Sequence, residues 1–276
     1  VNSNSHGVYI TTLSVLDSRI SRCDINELKI NNQSNFFNNI QFNNNRIKQN
    51  FELLFSGVDN QYQDNISIVD NNIGGSLTIS QMSSTGSNIN KLVMQNNIIQ
   101  NNISITTVGS IENSNISNNI STDTLVQATG SSNSNISFLN YQNNICKLTT
   151  FETLGRIFNN NINNNITSIN NQTGGILINS TIGVLKNNIS NNLISNGDLI
   201  LQGDSTQNGS EFSISLNNVS NNNVSMGSIL ATIISGGGTG APTNGTNSLI
   251  GNISSGQTGS YDGWTGADFY GSIPGI

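Results

Sequence analysis

The sequence repeats one short unit, two asparagines followed by Ile, Leu or Val, through most of its length. The unit occupies residues 38–40, 71–73, 96–98, 118–120, 143–145, 164–166, 187–189 and 217–219. From Ile73 onward its apolar residue recurs after 25, 22, 25, 21, 23 and 30 residues. Repeats of this length indicate a solenoid, in which each unit buries its apolar surface against its neighbours.

Composition indicates that the repeated unit contains strands. Of the 276 residues 54 are asparagine, only five are lysine and 9% are charged. Asn, Ser, Gly and β-branched residues are poor helix formers, whereas Ile, Val and Thr favour strands. The abundant isoleucine also argues against a disordered polar tract, which would be poor in such residues.

We therefore predict an all-β fold, a single-stranded parallel β-helix (solenoid) with about 22–26 residues per coil and a Gly-rich C-terminal tail. Asparagine suits the corners because it tolerates the left-handed backbone region and can bond the same amide one coil on. Alternate apolar residues should face the lumen. The isoleucines of the Asn-Asn-Ile units between residues 66 and 235 are predicted to point inward, namely Ile73, Ile98, Ile120, Ile145, Ile166 and Ile189. The same is predicted for Ile176, Ile178, Leu199, Leu201, Phe212, Ile214 and Leu216.

The coil length and the Asn-Asn-Ile unit resemble those of the right-handed parallel β-helix, or pectate-lyase-like, superfamily. The resemblance spans residues 8 to 235. It extends to the non-enzymatic members of the superfamily, which are viral fibres and surface adhesins. It implies a right-handed helix, which the spacing itself does not determine.

Three regions are expected along the chain. Residues 1–70 form N-terminal first coils or a cap, 71–235 form the Asn-rich parallel β-helix, and 236–276 form a Gly/aromatic C-terminal tail. The stretch from Val8 to Ile30 fits either a first coil or an amphipathic cap helix. The cluster Phe36, Phe37, Phe42, Phe51 and Phe55 indicates packing at the end of the core, with a partner-docking face as the alternative.

The tail concentrates aromatic residues among glycines, which let a backbone follow a foreign surface. The tail fits two structures, a cap folded on the last coil or an arm that contacts a neighbouring subunit head-to-tail. In the second, Asp262 and Asp268 would meet basic residues near the N-terminus of that subunit. The predicted assembly contacts are Tyr261, Trp264, Phe269 and Tyr270.

The sequence predicts no catalytic, cofactor-binding or metal-binding residues. His6 with Arg46 and Lys48 weakly resembles two polygalacturonase motifs, but the carboxylate motifs that should precede them are missing. Cys23 and Cys146 have no metal-ligand spacing, and a stacked fold would keep them apart as two buried thiols. No enzymatic activity is expected.

These features favour a structural or attachment protein, a rigid rod in a virion or cell-surface assembly with an extracellular location. The expected partners are copies of the same chain or other structural proteins, with a glycan receptor as a further possibility. Nucleic-acid binding is not expected, because the nine Lys and Arg residues form no stripe. Membrane insertion is not expected because no long apolar run occurs. The alternative is a carbohydrate-binding or polysaccharide-degrading protein of the same fold.

Overall fold

The computed structural model describes residues 7–56, 63–81, 88–167, 174–204, 214–225, 227–234, 247–254 and 268–270. Over these ranges the chain is all-β: it forms strands, turns and bends, with no helix. No helix capable of crossing a membrane therefore occurs in this part of the chain. All strand pairings described are parallel, and partners lie one coil apart in sequence. The predicted parallel β-solenoid is confirmed.

Strands stack in four columns, which the chain visits in turn along each coil. The longest strands, Val8–Leu16 and Leu28–Asn43, start in the first column and run into the second or third; Gln63–Val69 spans the second and third. The first column continues with Phe51–Phe55, Leu77–Gln81, Ile103–Thr107, Asp123–Ala128, Leu148–Thr153, Gly174–Ser180, Gly197–Asp204 and Ile229–Ile234.

The other three columns consist of shorter strands. The second contains Ile89–Asn90, Ile111–Glu112, Ile136–Ser137, Arg156–Phe158, Gly183–Leu185 and Ile214–Ser215. The third contains Arg19–Ser21, Val93–Gln95, Asn115–Ser117, Asn140–Gln142, Asn161–Asn163, Asn188–Ser190, Asn218–Ser220, Ser248–Ile250 and Asp268–Tyr270. The fourth contains Asp24–Ile25, Arg46–Ile47, Asn72–Ile73, Ile98–Ile99, Ile166–Thr167, Leu193–Ile194, Asn223–Val224 and Ile253–Ser254.

Two corners of the coils share a two-residue design: a left-handed residue followed, from the second coil onward, by an inward-facing one. The first corner joins the second and third columns, and its left-handed residues are Asp17, Asn39, Asn65, Lys91, Asn113, Phe138, Asn159, Lys186 and Leu216. The second corner joins the third and fourth columns, and its left-handed residues are Arg22, Asn44, Asp70, Asn96, Asn118, Asn143, Asn164, Asn191, Asn221 and Gly251. Asparagine predominates because its short polar side chain tolerates this backbone region.

The lumen is an aliphatic core with aromatic residues concentrated toward the N-terminal end. Phe37 packs edge-on against Phe55 and Phe42 against Phe51, with ring centroids 4.8 Å apart in both pairs. These four rings are fully buried, so the predicted packing role is confirmed for them, while the side chain of Phe36 lies outside the described residues. Strands occupy Val8 to Ile30, which supports the first-coil interpretation over the cap helix.

Several predicted lumen residues point outward instead, namely Ile98, Ile120, Ile145, Ile166 and Leu216. Ile166 is 39% exposed, because the residue after the inward asparagine of the second corner faces solvent, and Thr167 points inward in its place. Leu216 is 58% exposed at a left-handed first-corner position. Phe212 lies outside the described residues. The remaining predicted lumen residues are buried, namely Ile73, Ile176, Ile178, Ile189, Leu199, Leu201 and Ile214.

Candidate functional surfaces

A continuous ladder of buried asparagine side chains runs along the second corner. Each Nδ2 donates to Oδ1 of the ladder asparagine one coil on, at 2.8–3.2 Å. That same Oδ1 also accepts the backbone N–H of the donor residue, as in the pair Asn71 and Asn97. The ladder members are Asn45, Asn71, Asn97, Asn119, Asn144, Asn165, Asn192, Asn222 and Asn252.

Cys23 occupies the ladder position in the coil before Asn45. Its backbone N–H donates to Oδ1 of Asn45 at 3.1 Å, as a ladder asparagine would. Its thiol instead turns to the carbonyl of Ser21 at 3.3 Å, and the side chain is exposed. Cys146 is buried, and both cysteines are free, so the expectation of two buried thiols is right for Cys146 and wrong for Cys23.

A second buried ladder occupies the first corner, but only in the C-terminal half. Asn160, Asn187, Asn217 and Asn247 bond in succession through Nδ2 and Oδ1 at 2.9–3.0 Å. In earlier coils the equivalent inward position holds Ile40, Ile66, Leu92, Ser114 and Leu139. The first corner therefore changes from a mainly apolar to an amide interior between Leu139 and Asn160.

A third amide column faces outward on the third strand column. Its members bond in succession at 2.8–3.3 Å, with each later residue donating to the earlier one: Asn115, Asn140, Asn161, Asn188 and Asn218. Their amides are partly exposed. The column offers a row of hydrogen-bonding groups spaced about 4.8 Å apart along the axis.

An aliphatic stripe lies directly beside the long amide ladder. It consists of the outward residues that follow five successive ladder asparagines, namely Ile98, Ile120, Ile145, Ile166 and Leu193. Ile98 and Ile120 are 50% and 43% exposed and Ile166 and Leu193 are 39% and 38% exposed, while Ile145 is half-buried. Successive members are parallel backbone partners, so the stripe follows the ladder from coil to coil.

The outer surface of the first corner forms a ridge. We define this first-corner ridge as the left-handed residues of that corner together with the residue preceding each one. Its C-terminal half carries Phe138, Phe158, Leu185 and Leu216, of which Phe138 is 54% and Leu216 is 58% exposed. Phe138 meets Phe158 edge-on with ring centroids 5.9 Å apart. Sequence reasoning missed this surface, because the alternation of apolar residues predicted that Leu216 faces the lumen.

Polar side chains also cluster inside the lumen. The hydroxyl of Tyr141 lies 3.1 Å from Oγ1 of Thr149 and 3.8 Å from Sγ of Cys146, and Cys146 Sγ lies 3.0 Å from Thr149 Oγ1. Burial raises the pKa of the Cys146 thiol and holds the pKa of Tyr141 well above its usual value. Both groups therefore stay neutral in the folded protein at physiological pH.

The structure describes only some of the predicted assembly residues. Phe269 and Tyr270 lie in the strand Asp268–Tyr270, which pairs in parallel with Ser248–Ile250 and continues the third column. Their side chains, and the whole of Tyr261 and Trp264, lie outside the described residues. The ladders reach Asn247 and Asn252, inside the segment that the sequence assigns to the tail.

The structure also describes only part of the weak polygalacturonase-like motif. Lys48 and Arg46 face Asp24 at 3.6 and 4.0 Å, so these cations sit in a surface ion-pair group. His6 lies outside the described residues. Nearby, Glu27 accepts a hydrogen bond from the Tyr9 hydroxyl and raises the pKa of Tyr9.

Comparisons with known proteins identify no relative. Neither family models, nor curated proteins, nor solved structures give a significant match to this chain. Within the described residues, no group of three or more His, Cys, Asp or Glu side chains is arranged to hold a metal ion.

Proposed function

We propose that this protein is a non-enzymatic structural or attachment protein, a rigid β-solenoid exposed in a virion or cell-surface assembly. The observation that carries the proposal is the uninterrupted amide ladder from Asn45 to Asn252. Eight steps of about 4.8 Å give a rod section of roughly 38 Å in which every coil is hydrogen-bonded to the next through buried side chains. Such a section suits a spacer or fibre that must keep its shape.

The superfamily resemblance supports the same role. Among parallel β-helix proteins, this chain resembles the non-enzymatic viral-fibre and adhesin type in its low charge and its asparagine-rich corners. In this proposal the protein acts outside the cell as a homo-oligomer or with other structural proteins, and the C-terminal tail contacts a neighbouring subunit through Tyr261, Trp264, Phe269 and Tyr270. A glycan receptor remains a second type of partner.

Incubation of the purified protein with a panel of acidic and neutral polysaccharides tests the non-enzymatic part of this proposal. We expect no turnover. Reproducible product formation that disappears in His6→Ala or Lys48→Ala would overturn it. Because Lys48 is paired with Asp24 on the surface, an Asp24→Asn variant separates loss of that pair from loss of a catalytic group.

A carbohydrate-binding role is the second candidate, and the outward amide column favours it. Partly exposed amides in a regular row offer donors and acceptors to sugar hydroxyls. The double variant Asn161→Leu with Asn188→Leu should abolish retention on an immobilised polysaccharide if this column is the binding surface. Asn101→Leu, an exposed asparagine away from the column, is the matched control.

A further inference from the structure

The N-terminal end of the solenoid is an open end. The strands Val8–Leu16 and Arg19–Ser21 both pair with Leu28–Asn43 on one side and with no described strand on the other. A cavity of about 320 Å³ opens at this end, and its lining comes entirely from the first two coils. The lining includes Ile10 and Ile20, which are only half-buried. An unpaired strand edge beside an uncovered apolar lumen is a surface that solenoids normally cover.

One register position of the third column identifies the molecule that fits this end. The residues that occupy it, one from each coil and each paired with the next, are Arg19, Gln41, Ser67, Val93, Asn115, Asn140, Asn161, Asn188, Asn218, Ser248 and Asp268. Only the first and the last of these residues are charged, and their charges are opposite. Arg19 is exposed and forms no ion pair with another described residue. The two ends of the chain are therefore complementary to each other along this column.

We propose that copies of this chain stack end to end, with the strand Asp268–Tyr270 of one copy pairing in parallel with Arg19–Ser21 of the next. This inference rests on the proposed role of the tail in assembly, and it names the acceptor site on the neighbouring copy and the register. Asp268 and Arg19 then lie on adjacent strands about 4.8 Å apart, as a cross-strand ion pair. A contact between two N-terminal ends would instead set Arg19 against Arg19. The head-to-tail contact repeats along the axis and gives an open filament.

The next register position of the same column adds an apolar contact. Its residues Phe42, Ile68 and Met94 are fully buried, and each lies between two paired coils. Ile20 begins this series and is half-buried, because no described coil precedes it. Phe269 ends the series. In the stack the coil of Phe269 covers Ile20 as each coil covers the next within the rod, and the apolar area removed from water favours the joint.

The long amide ladder does not continue through the joint. Cys23 holds the ladder position in the first coil, and its backbone N–H donates to Oδ1 of Asn45 at 3.1 Å. A thiol offers no amide oxygen to a coil stacked before it, so the joint lacks the side-chain bonds that join coils within the rod. We expect the stack to dissociate without unfolding, and more readily in high salt because its ion pair is exposed. Cys23→Asn supplies the missing acceptor and should strengthen self-association.

Charge reversal tests the register. Arg19→Asp and Asp268→Arg each set like charges against each other and should raise the dissociation constant of the stack about ten-fold or more in sedimentation velocity. The double variant restores opposite charges and should recover most of the affinity. Arg22→Asp is the matched control with a much smaller expected effect, because Arg22 is exposed at the same end but lies outside the paired strand. Equal losses in the two arginine variants, or no recovery in the double variant, overturn the register.

Disulfide trapping tests the same contact in the full chain. In a Cys23→Ser background, Arg19→Cys combined with Asp268→Cys places thiols on adjacent strands of two molecules, at a Cα separation that suits a disulfide. Mild oxidation should give a series of linked oligomers, whereas neither single variant should polymerise. A double variant that stays monomeric overturns the stack even if truncation after residue 254 abolishes assembly, because the tail then acts through another contact. A truncated chain that still assembles contradicts the proposed role of the tail itself.

Discussion

The side-chain amide of Asn71 donates to Oδ1 of Asn97, one coil on, at 3.0 Å, and that same oxygen accepts the backbone N–H of Asn71 at 3.0 Å. One acceptor thus fixes both the side chain and the main chain of the preceding coil. The residue before each of these asparagines, Asp70 or Asn96, has a left-handed backbone that turns the chain. In the Asn96-Asn97 pair, one asparagine turns the corner and the other joins the coils.

The ladder predicts a large loss of stability in Asn97→Ala. Asn97 is fully buried; it accepts two hydrogen bonds from Asn71 and donates to Asn119 and to the Ile68 carbonyl. Removal leaves buried polar groups without partners, at a cost of about 1–3 kcal/mol each, so we expect a loss of roughly 3 kcal/mol or more in urea unfolding. Asn102→Ala, at an exposed position of the same coil, should change stability by less than about 0.5 kcal/mol. Similar losses for the two variants would contradict the ladder's role.

Two isoleucines of the repeat should respond differently to aspartate. Ile189→Asp puts an unpaired carboxylate into the apolar lumen and should prevent folding. Ile166→Asp changes a side chain that is already 39% exposed and should give a folded protein with a modestly lower unfolding midpoint. Far-ultraviolet circular dichroism and thermal melts separate these outcomes. Loss of folding in both variants would show that the outward placement of Ile166 is wrong.

The two thiols should differ in reactivity in the native protein. Cys23 is exposed and should react with a thiol reagent at once, whereas Cys146 is buried with a raised pKa and should react only after unfolding. Titration of accessible thiols should give one equivalent in buffer and two in denaturant. Two rapidly reacting thiols in buffer would mean that the lumen opens at this coil.

Stability should decline at alkaline pH because of the same buried groups. Burial raises the pKa of Cys146 and of Tyr141 in the folded state, so the unfolded chain loses these protons first. Their contribution is intact below the ordinary thiol pKa of 9.0 and diminishes as pH rises above it. Unfolding free energies measured between pH 7 and pH 10 should decline less in Cys146→Ala than in wild type, with Cys23→Ala as the control.

Two truncations that end at different residues test the prediction that the C-terminal tail mediates assembly. Truncation after residue 235 removes Asn247 and Asn252 and so shortens both ladders, whereas truncation after residue 254 keeps them. If the aromatic tail mediates assembly, the product that ends at residue 254 should fold with the wild-type melting profile but form no head-to-tail species, which light scattering should detect for the full chain. Trp264→Ala should weaken that species in the full chain. Unchanged assembly after the cut at 254 would show that the tail is not the contact.

Local sequence determined the repeat, the strand content, the asparagine corners and most of the lumen. Coil length follows from the spacing of the Asn-Asn units, and an alternating pattern such as Ile176 and Ile178 specifies which face is buried. These are short-range properties, because each depends on a few neighbouring residues and on the left-handed tolerance of asparagine.

Only the stacked structure decided the role of each member of an Asn-Asn-Ile unit. It determines which residue has the left-handed backbone, which one hydrogen-bonds to the next coil and which side chain faces solvent. The motif Asn-Asn-Ile reads alike at 164–166 and 187–189, yet Ile166 is outside and Ile189 inside. The two units lie at different corners, and Asn188 adds an outward residue before Ile189, whereas Ile166 directly follows its ladder asparagine. Leu216 was misassigned for the same reason: a left-handed residue interrupts strand alternation, and only the register with neighbouring coils reveals where that interruption falls.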